Sequence, residues 1–322
     1  MSTQVYAAID IGGTKIAGAL IDDSGGIRER TELPTPARES TSRLTGTVDA
    51  VIDTLAAHPS WAAVRGIGIA SAGPVDTGRG TVSPVNIPAW RSFPLVESVR
   101  AHPLVPEGTE PVLLGDAVAM AAAEHWRGAA RGVRNALCMV VSTGVGGGYV
   151  LDGELHPGPS GNAGHIGHIS VDMDGPPCAC GARGCVEGYA SGTAIARHAV
   201  RTGWTPPRGQ EATAAAVAVA AAAGDERALA AFDRSARALA AAIAGSATLL
   251  EIEVAVIGGG VAQAGDILFT PLRRHLRSFA VLDFARHVAV RPAALARDAG
   301  LVGAAAAARR HVLDGGAPVA AR

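Results

Sequence analysis

The sequence predicts an α/β fold built on a duplicated plan, and three observations carry that prediction. The apolar run Val5–Asp10 is followed by Gly12-Gly13-Thr14-Lys15 and a second apolar run, Ile16–Ile21. Further along, Ala136–Val141 is followed by Ser142-Thr143-Gly144-Val145-Gly146-Gly147-Gly148 and Tyr149–Leu151. Around these two glycine-rich hairpins, short apolar runs of strand length alternate with long Ala-rich stretches of helical spacing. Each hairpin opens one half of the chain, which suggests one architecture used twice.

In chain order, the tip of the first hairpin exposes backbone N–H groups, the Thr14 hydroxyl and the Lys15 amine, all suited to phosphate oxygens. A bare Gly-Gly turn explains the same residues, and no helix pattern follows as it would in a Gly-x4-Gly-Lys-Ser/Thr loop. Ile27–Leu33 reads as a third strand. Leu44–Ala57 reads as a helix with Leu44, Val48, Val51, Ile52 and Leu55 on one side. Gly66–Ala70 is a short buried strand running into the turn Ser71-Ala72-Gly73-Pro74. The segment Val82–Trp90 is irregular and sets Asn86 between two prolines, either as plain structure or as a substrate hook. Val112–Leu114 is a strand that ends at Gly115-Asp116, and a helix follows over Ala117–Arg127. Asp116 there reads first as a helix N-cap and equally as a general base at a strand end.

The second hairpin repeats the logic of the first, with Ser142 and Thr143 at its tip. A nucleotide phosphate chain held by both is the expectation. Ala190–Arg201, Glu211–Ala223, Asp225–Leu249, Ile267–Leu276 and Leu301–His311 read as helices. Val254–Ile257 and Val288–Val290 read as strands. Gly258-Gly259-Gly260 follows the first of these and allows close backbone approach to a flat ligand. Residues 315–322 read as a frayed tail.

The stretch 161–187 places His168, Cys178, Cys180 and Cys185 close together in a Gly/Pro-rich loop, with His165 and Glu187 flanking it. One imidazole and three thiolates form a full tetrahedral set for zinc, with no position left for a reacting water. The expectation is a structural zinc that pins the loop. The spacing is Cys-x-Cys and not the redox Cys-x-x-Cys. The fourth cysteine, Cys138, sits in an apolar run and reads as core.

A chain of 322 residues with 48% hydrophobic and 18% charged residues has material for about two domains and a large core. The net charge of −1, without a Lys/Arg cluster, argues against nucleic acid as a main partner. No signal peptide and no membrane-spanning run is read, and cysteine usage suits a reducing cytoplasm.

The chain resembles the ROK family of sugar kinases and repressors from Asp10 to about Ala308. The resemblance rests on Asp-Ile-Gly-Gly-Thr-Lys (10–15), Asn-Ile-Pro-x-Trp (86–90), Asp116 before an Ala-rich helix, Ser-Thr-Gly-Val-Gly-Gly-Gly (142–148), the zinc stretch and Gly258–Gly260. It implies two actin-like (ribonuclease H-like) domains around a nucleotide/sugar cleft. The boundaries expected are 1–116, with the last helix (about 301–312) packing back on it, and 117–300. A first strand at Val5 leaves no room for the repressors' helix-turn-helix, so a kinase is implied. Asp116 would then be the base for the sugar's primary hydroxyl. Asp10, Gly12, Gly13, Thr14, Lys15, Thr143, Gly144 and Gly146 would hold the ATP phosphates with Mg2+, and Gly258, Gly259 and Gly260 would border the adenosine. Asn86, His165, His168 and Glu187 would line the sugar pocket, and a homodimer or homotetramer is expected.

Two positions depart from the family pattern. Glu-x-Gly-His reads His165-Ile-Gly-His168 here, and Asn-Asp reads Gly115-Asp116. A carboxylate only accepts hydrogen bonds, whereas an imidazole can donate one. The exchange points to a modified sugar or a C7-cyclitol of valienone or valiolone type. An ordinary glucokinase, an amino-sugar kinase for kanosamine or an N-acetylhexosamine, and a non-catalytic sugar sensor are the alternatives.

Overall fold

The computed structural model describes residues 4–316, so most of the tail expected over 315–322 lies outside the described residues. Packing divides the chain into two compact units. Unit 1 comprises residues 4–131, 155–163 and 297–316, and unit 2 comprises 132–154 and 164–296.

Unit 1 opens with β1 (Val5–Ile11), β2 (Lys15–Asp22) and β3 (Ile27–Pro34), then α1 (Thr41–Ala56) and β4 (Val64–Ser71). A small ribbon of β5 (Val75–Asp76) and β6 (Thr81–Val82), the short α2 (Leu95–Arg100), β7 (Val112–Gly115) and α3 (Asp116–Arg127) follow. The main sheet has the order β3-β2-β1-β4-β7, with β1–β2 and β2–β3 antiparallel and β1–β4 and β4–β7 parallel. β1 is apolar and buried along nearly its whole length, as a central strand covered on both faces must be. Ser40 caps α1, and the five apolar residues expected on one side of that helix are its buried ones.

Unit 2 repeats the plan with β8 (Ala136–Val141), β9 (Val145–Leu151), β10 (Glu154–His156), α4 (Glu187–Ala190), α5 (Gly192–Arg201), α6 (Ala214–Ala222), α7 (Glu226–Leu250), β11 (Val254–Gly258), α8 (Asp266–Phe279) and β12 (Ala289–Pro292). Its sheet order is β10-β9-β8-β11-β12, with β8–β9 antiparallel and β8–β11 and β11–β12 parallel. The two sheets share one topology, and the chain is an α/β protein with two mixed sheets. The last helix, α9 (Ala299–Leu313), belongs to unit 1. Its backbone comes very close there. A Cβ on Gly68 would lie 1.9 Å from the Ala304 carbonyl oxygen, and one on Gly303 would lie 1.8 Å from that of Ala119. Small residues on β4, α3 and α9 are what let three backbones meet.

Several sequence boundaries move for identifiable reasons. The helix expected over Ala190–Arg201 splits at Ser191, whose hydroxyl caps α5 by accepting the Ala194 N–H. The helix expected from Glu211 starts at Ala214, because the Thr213 hydroxyl accepts the Ala216 N–H. Gly146, Gly147 and Gly148, expected in a loop, lie within β9 opposite Val140, Met139 and Cys138. Another segment packs on this strand: a Cβ on Gly164 would sit 2.4 Å from the Gly147 carbonyl oxygen, and one on Gly147 would lie 3.0 Å from Ile166 Cγ2 and 3.1 Å from the Gly164 carbonyl oxygen. Cys138 is fully buried, as expected. Among the described residues no helix is long and apolar enough to cross a membrane.

Candidate active site

In unit 1 the β1–β2 turn is closed by a hydrogen bond from the Gly12 N–H to the Lys15 carbonyl (3.0 Å). It is braced by Thr35, whose hydroxyl donates to the Gly12 carbonyl (2.7 Å) and whose N–H donates to the Thr14 carbonyl (3.0 Å). Thr14 is exposed at the tip. The Lys15 ammonium lies 3.2 Å from Glu32, which it shares with Arg30, so part of its charge is already matched. The Asn86 side chain sits directly over Gly13, where a Cβ would come within 2.2 Å of its Nδ2. Fold thus brings together two sequence candidates that are far apart in the chain. The Arg91 guanidinium holds the loop that carries Asn86. Its Nη1 lies against the carbonyl oxygens of Pro84 (3.0 Å), Ile87 (3.1 Å) and Trp90 (2.7 Å). Sequence reasoning missed Arg91, because a lone arginine beside an irregular segment carries no local pattern.

Asp10 and Asp116 are the acidic pair of this unit. Asp10 lies near the end of β1 with its carboxylate against Gly300 in the first turn of α9, where a Cβ would be 2.2 Å from Oδ2. Burial, and then the neighbouring charge of Asp116, push the Asp10 carboxyl up to about 6. Asp116 is exposed and occupies the first position of α3, and the N-cap position expected for it falls to Gly115. Its Oδ1 accepts the Ala117 N–H at 2.7 Å, so the helix terminus orients the carboxylate and its charge suits the positive helix end. Beside it Gly115 leaves room, since a Cβ would meet only the Gly161 carbonyl oxygen at 3.7 Å and Val75 Cγ2 at 4.0 Å.

In unit 2 the second hairpin turns tightly at Ser142–Gly144, with the Ser142 N–H donating to the Gly144 carbonyl (2.9 Å). Glu187 accepts the Val145 N–H at 2.9 Å, and a Cβ on Gly144 would meet its Oε2 at 2.6 Å. The Glu187 carboxylate therefore braces this hairpin from outside. Gly146 lies on the strand and not at the tip. A cavity of about 580 Å³ opens beside the tip, lined by Ser142, Thr143, the start of α5 from Gly192 to Val200, residues 212–215, Gly260 and Val261. Ala, Val and Gly make up most of its walls, and besides Ser142 and Thr143 the polar lining residues are Thr193, Arg197 and Thr213, which sequence reasoning did not single out. Gly258 ends β11. Gly259 takes φ +87° where a Cβ would lie 2.4 Å from the Val141 carbonyl oxygen, so only glycine fits.

The third feature, also in unit 2, is the sulfur cluster. The Val171 N–H donates to the Gly184 carbonyl, the Val186 N–H to that of Ile169 and the Cys178 N–H to that of Ala182, which folds the loop on itself. Gly184 is obligatory at φ +67°, with the Asp172 carbonyl oxygen 1.7 Å from an added Cβ. One ligand atom each from His168, Cys178, Cys180 and Cys185 lies within 4.8 Å of every other. Cys178 Sγ is 3.8 Å from His168 Nδ1, and Cys180 Sγ is 3.7 Å from Cys185 Sγ. A tetrahedral site with metal–sulfur bonds of about 2.3 Å needs sulfur–sulfur edges of about 3.8 Å, so the donor set fits a metal ion of that size. Burial, and then the adjoining Cys178 and Cys180, push the Cys185 thiol up to about 12. A thiol held protonated in this way becomes a thiolate ligand readily only when a bound cation displaces its proton. His165 is exposed at the start of the turn Ile166–His168, its ring 6.4 Å from that of His168.

Twin α/β sheets with glycine-rich hairpins define a nucleotide-handling class of fold, and comparison with known proteins gives the family. The ROK family model matches residues 6–311, and the chain belongs to the ROK family. It is 36% identical over 316 residues to a glucokinase of Halalkalibacterium halodurans, covering 94% of each chain. It is 38% identical over 311 residues to an N-acetylmannosamine kinase of Escherichia coli O1:K1, covering 95% of this chain and 99% of that one. The crystal structure of a ROK family glucokinase from Streptomyces griseus in complex with glucose and AMPPNP superposes with a TM-score of 0.80 at 33% identity, over 95% of this chain and 99% of the other.

Proposed function

We propose that the protein transfers the γ-phosphoryl group of ATP to the primary hydroxyl of a glucose-like sugar. It is a sugar phosphotransferase of the ROK family. The observation that carries the finer reading is the Asp10–Asp116 pair, a half-buried carboxyl held near 6 beside an exposed, helix-anchored carboxylate. In this reading Asp116 accepts the proton of the acceptor hydroxyl. The exposed Thr14 and the backbone of Gly12–Lys15, with Thr143 and Gly144 of unit 2, bind phosphate oxygens, and Asn86 orients the sugar. The cavity at Ser142–Val261 takes the adenosine, with Gly260 on its border. Phosphoryl transfer asks the protein mainly for positioning and charge neutralisation. Mg2+ on the phosphates would supply that neutralisation, and Asp10, a carboxyl that Lys15 and Arg30 offset only in part, is a group here that suits a cation. The sulfur cluster holds zinc in a structural role and fixes the loop that leads to Glu187.

A second reading concerns substrate choice. The room beside Gly115 and the imidazole at His165 favour a modified sugar or a C7-cyclitol over plain glucose. A coupled ADP-release screen over glucose, N-acetylmannosamine, kanosamine and valienone-type cyclitols tests both. Turnover of none of them with ATP would overturn the kinase reading in favour of a sugar sensor. Glucose used as efficiently as every modified substrate would overturn the second reading alone. In that second reading, His165→Glu with Gly115→Asn improves kcat/KM for glucose by roughly five- to a hundredfold, from two added hydrogen bonds of about 0.5–1.5 kcal/mol each.

A further inference from the structure

Unit 2 carries a second cavity, of about 490 Å³, that shares no lining residue with the nucleotide cavity. Arg234 and Arg237 project into it from one face of α7, Tyr189 of α4 lines it, and Phe279 and Val171 supply apolar surface. Arg234 is half-buried, with its Cζ over the Tyr189 ring at 4.0 Å from the centroid. The acidic group beside it, Asp172, accepts the Tyr189 hydroxyl at 2.6 Å. Burial and the nearby Arg201 and Arg197 of α5 make the Arg234 cation harder to hold, which lowers its affinity for its proton. Two guanidinium groups three residues apart on one helix, with two more close by, leave this groove with an excess of positive charge. Asp172 also lines the groove and, with Tyr189, partly offsets the Arg234 charge, but its carboxylate is taken up by the Tyr189 hydroxyl; the remaining cost of desolvating a guanidinium against an aromatic ring is one that a bound anion offsets.

We propose that this groove is a binding site for a small phosphomonoester, with Arg234 and Arg237 gripping the phosphate and Phe279 and Val171 contacting the organic part. The guanidinium fork matches phosphate oxygens two at a time, and that of Arg234 already sits over the Tyr189 ring. Sugar phosphates, the product class of the reaction proposed above, have this chemistry, and so does free phosphate without the organic part.

The binding claim does not depend on the catalytic reading. Calorimetric titration of the intact protein with inorganic phosphate and with glucose 6-phosphate tests it, with AMPPNP and the best sugar of the panel present at saturation. One saturable site per chain is expected. Arg234→Gln should weaken it by about tenfold or more, the effect of losing a charge-assisted pair of hydrogen bonds, and Arg237→Gln should weaken it similarly. The ATP and sugar KM values of both variants, measured without added phosphate, should match wild type. Tighter binding of glucose 6-phosphate than of phosphate assigns the site to sugar phosphates, and equal binding assigns it to free phosphate. No saturable binding with the other cavity filled, or binding unchanged in both arginine variants, overturns the proposal. Sedimentation showing that Arg234→Gln changes the oligomeric state while phosphate binding persists also overturns it, since the groove is then an interface between copies of the chain.

Discussion

Asp116→Asn should slow the enzyme and relieve a repulsion on Asp10, and pH separates the two effects. The Asp10 carboxyl is displaced from an ordinary 3.8 to about 6, and two pH units correspond to about 3 kcal/mol. Burial is the larger cause and the Asp116 charge the second, with Lys15 and Arg30 opposing both, so repulsion between the two carboxylates is the smaller of the raising effects. Solvent around the exposed Asp116 reduces it further, to about 0.5–1 kcal/mol. The native state holds the Asp10 proton more tightly than the unfolded chain does. Its contribution to stability is therefore greatest below about pH 4 and falls away as pH rises through 6. Asparagine keeps an oxygen for the Ala117 N–H, so the start of α3 is preserved while the charge goes. Losing the carboxylate's favourable place at the helix end costs about 0.3–1 kcal/mol, so the relief of repulsion should show as a gain of about 0.5–1 kcal/mol in the variant's stability relative to wild type on going from pH 4.5 to pH 8. Its kcat should fall by about two to four orders of magnitude, the usual range for loss of a general base. Urea unfolding at the two pH values and steady-state kinetics at pH 8 measure all three quantities. A stability difference that stays the same between pH 4.5 and pH 8 would show that the two carboxylates do not repel one another. One that keeps most of its turnover would remove Asp116 from the proton transfer.

Three further outcomes are expected. Metal analysis of freshly purified protein should find one zinc per chain, and Cys180→Ser should lose it and lower the melting temperature; zinc-free protein with full activity would contradict the structural role. Gly144→Ala places a Cβ 2.6 Å from Glu187 Oε2 and displaces that carboxylate from the Val145 N–H, a charge-assisted bond of about 1.5–3 kcal/mol. The KM for ATP should rise about tenfold or more with the sugar KM unchanged, and a reverse split would detach the hairpin from the nucleotide. Arg91→Ala frees three carbonyls of the Asn86 loop and should raise the sugar KM about tenfold while leaving that for ATP alone; an unchanged sugar KM would mean that Asn86 does not touch the sugar.

Much of this protein was legible in one dimension because the relevant patterns are short. A strand–glycine–strand hairpin at Val5–Ile21, a helix after Asp116 and four candidate metal-binding side chains between His168 and Cys185 are local arrangements. Period, turn chemistry and spacing define them without reference to distant residues. The family followed from such motifs together. The exact ends of elements did not, because capping by Ser191 and Thr213 competes with strong helix propensity in Ala-rich runs, and the winner depends on where each hydroxyl points. Gly146–Gly148 misled in the same way. Glycines in a row read as loop, yet here they form a strand, because the segment at Gly164–Gly167 packs on their bare backbone.

What only the tertiary structure decided are the meetings of residues far apart in the chain. Asn86 lies over Gly13, the Asp10 carboxylate lies against Gly300, Glu187 reaches the Val145 N–H, and Arg197 and Thr213 join Gly260 around one cavity. No local signal marks these pairs, since each needs two backbones to approach within a side chain's length. That approach is set by close packing of whole elements, as where Gly68 and Gly303 let α9 settle onto β4 and α3. The chemical groups are written in the sequence, but their distances, and with them the pKa of Asp10, are properties of the packed fold.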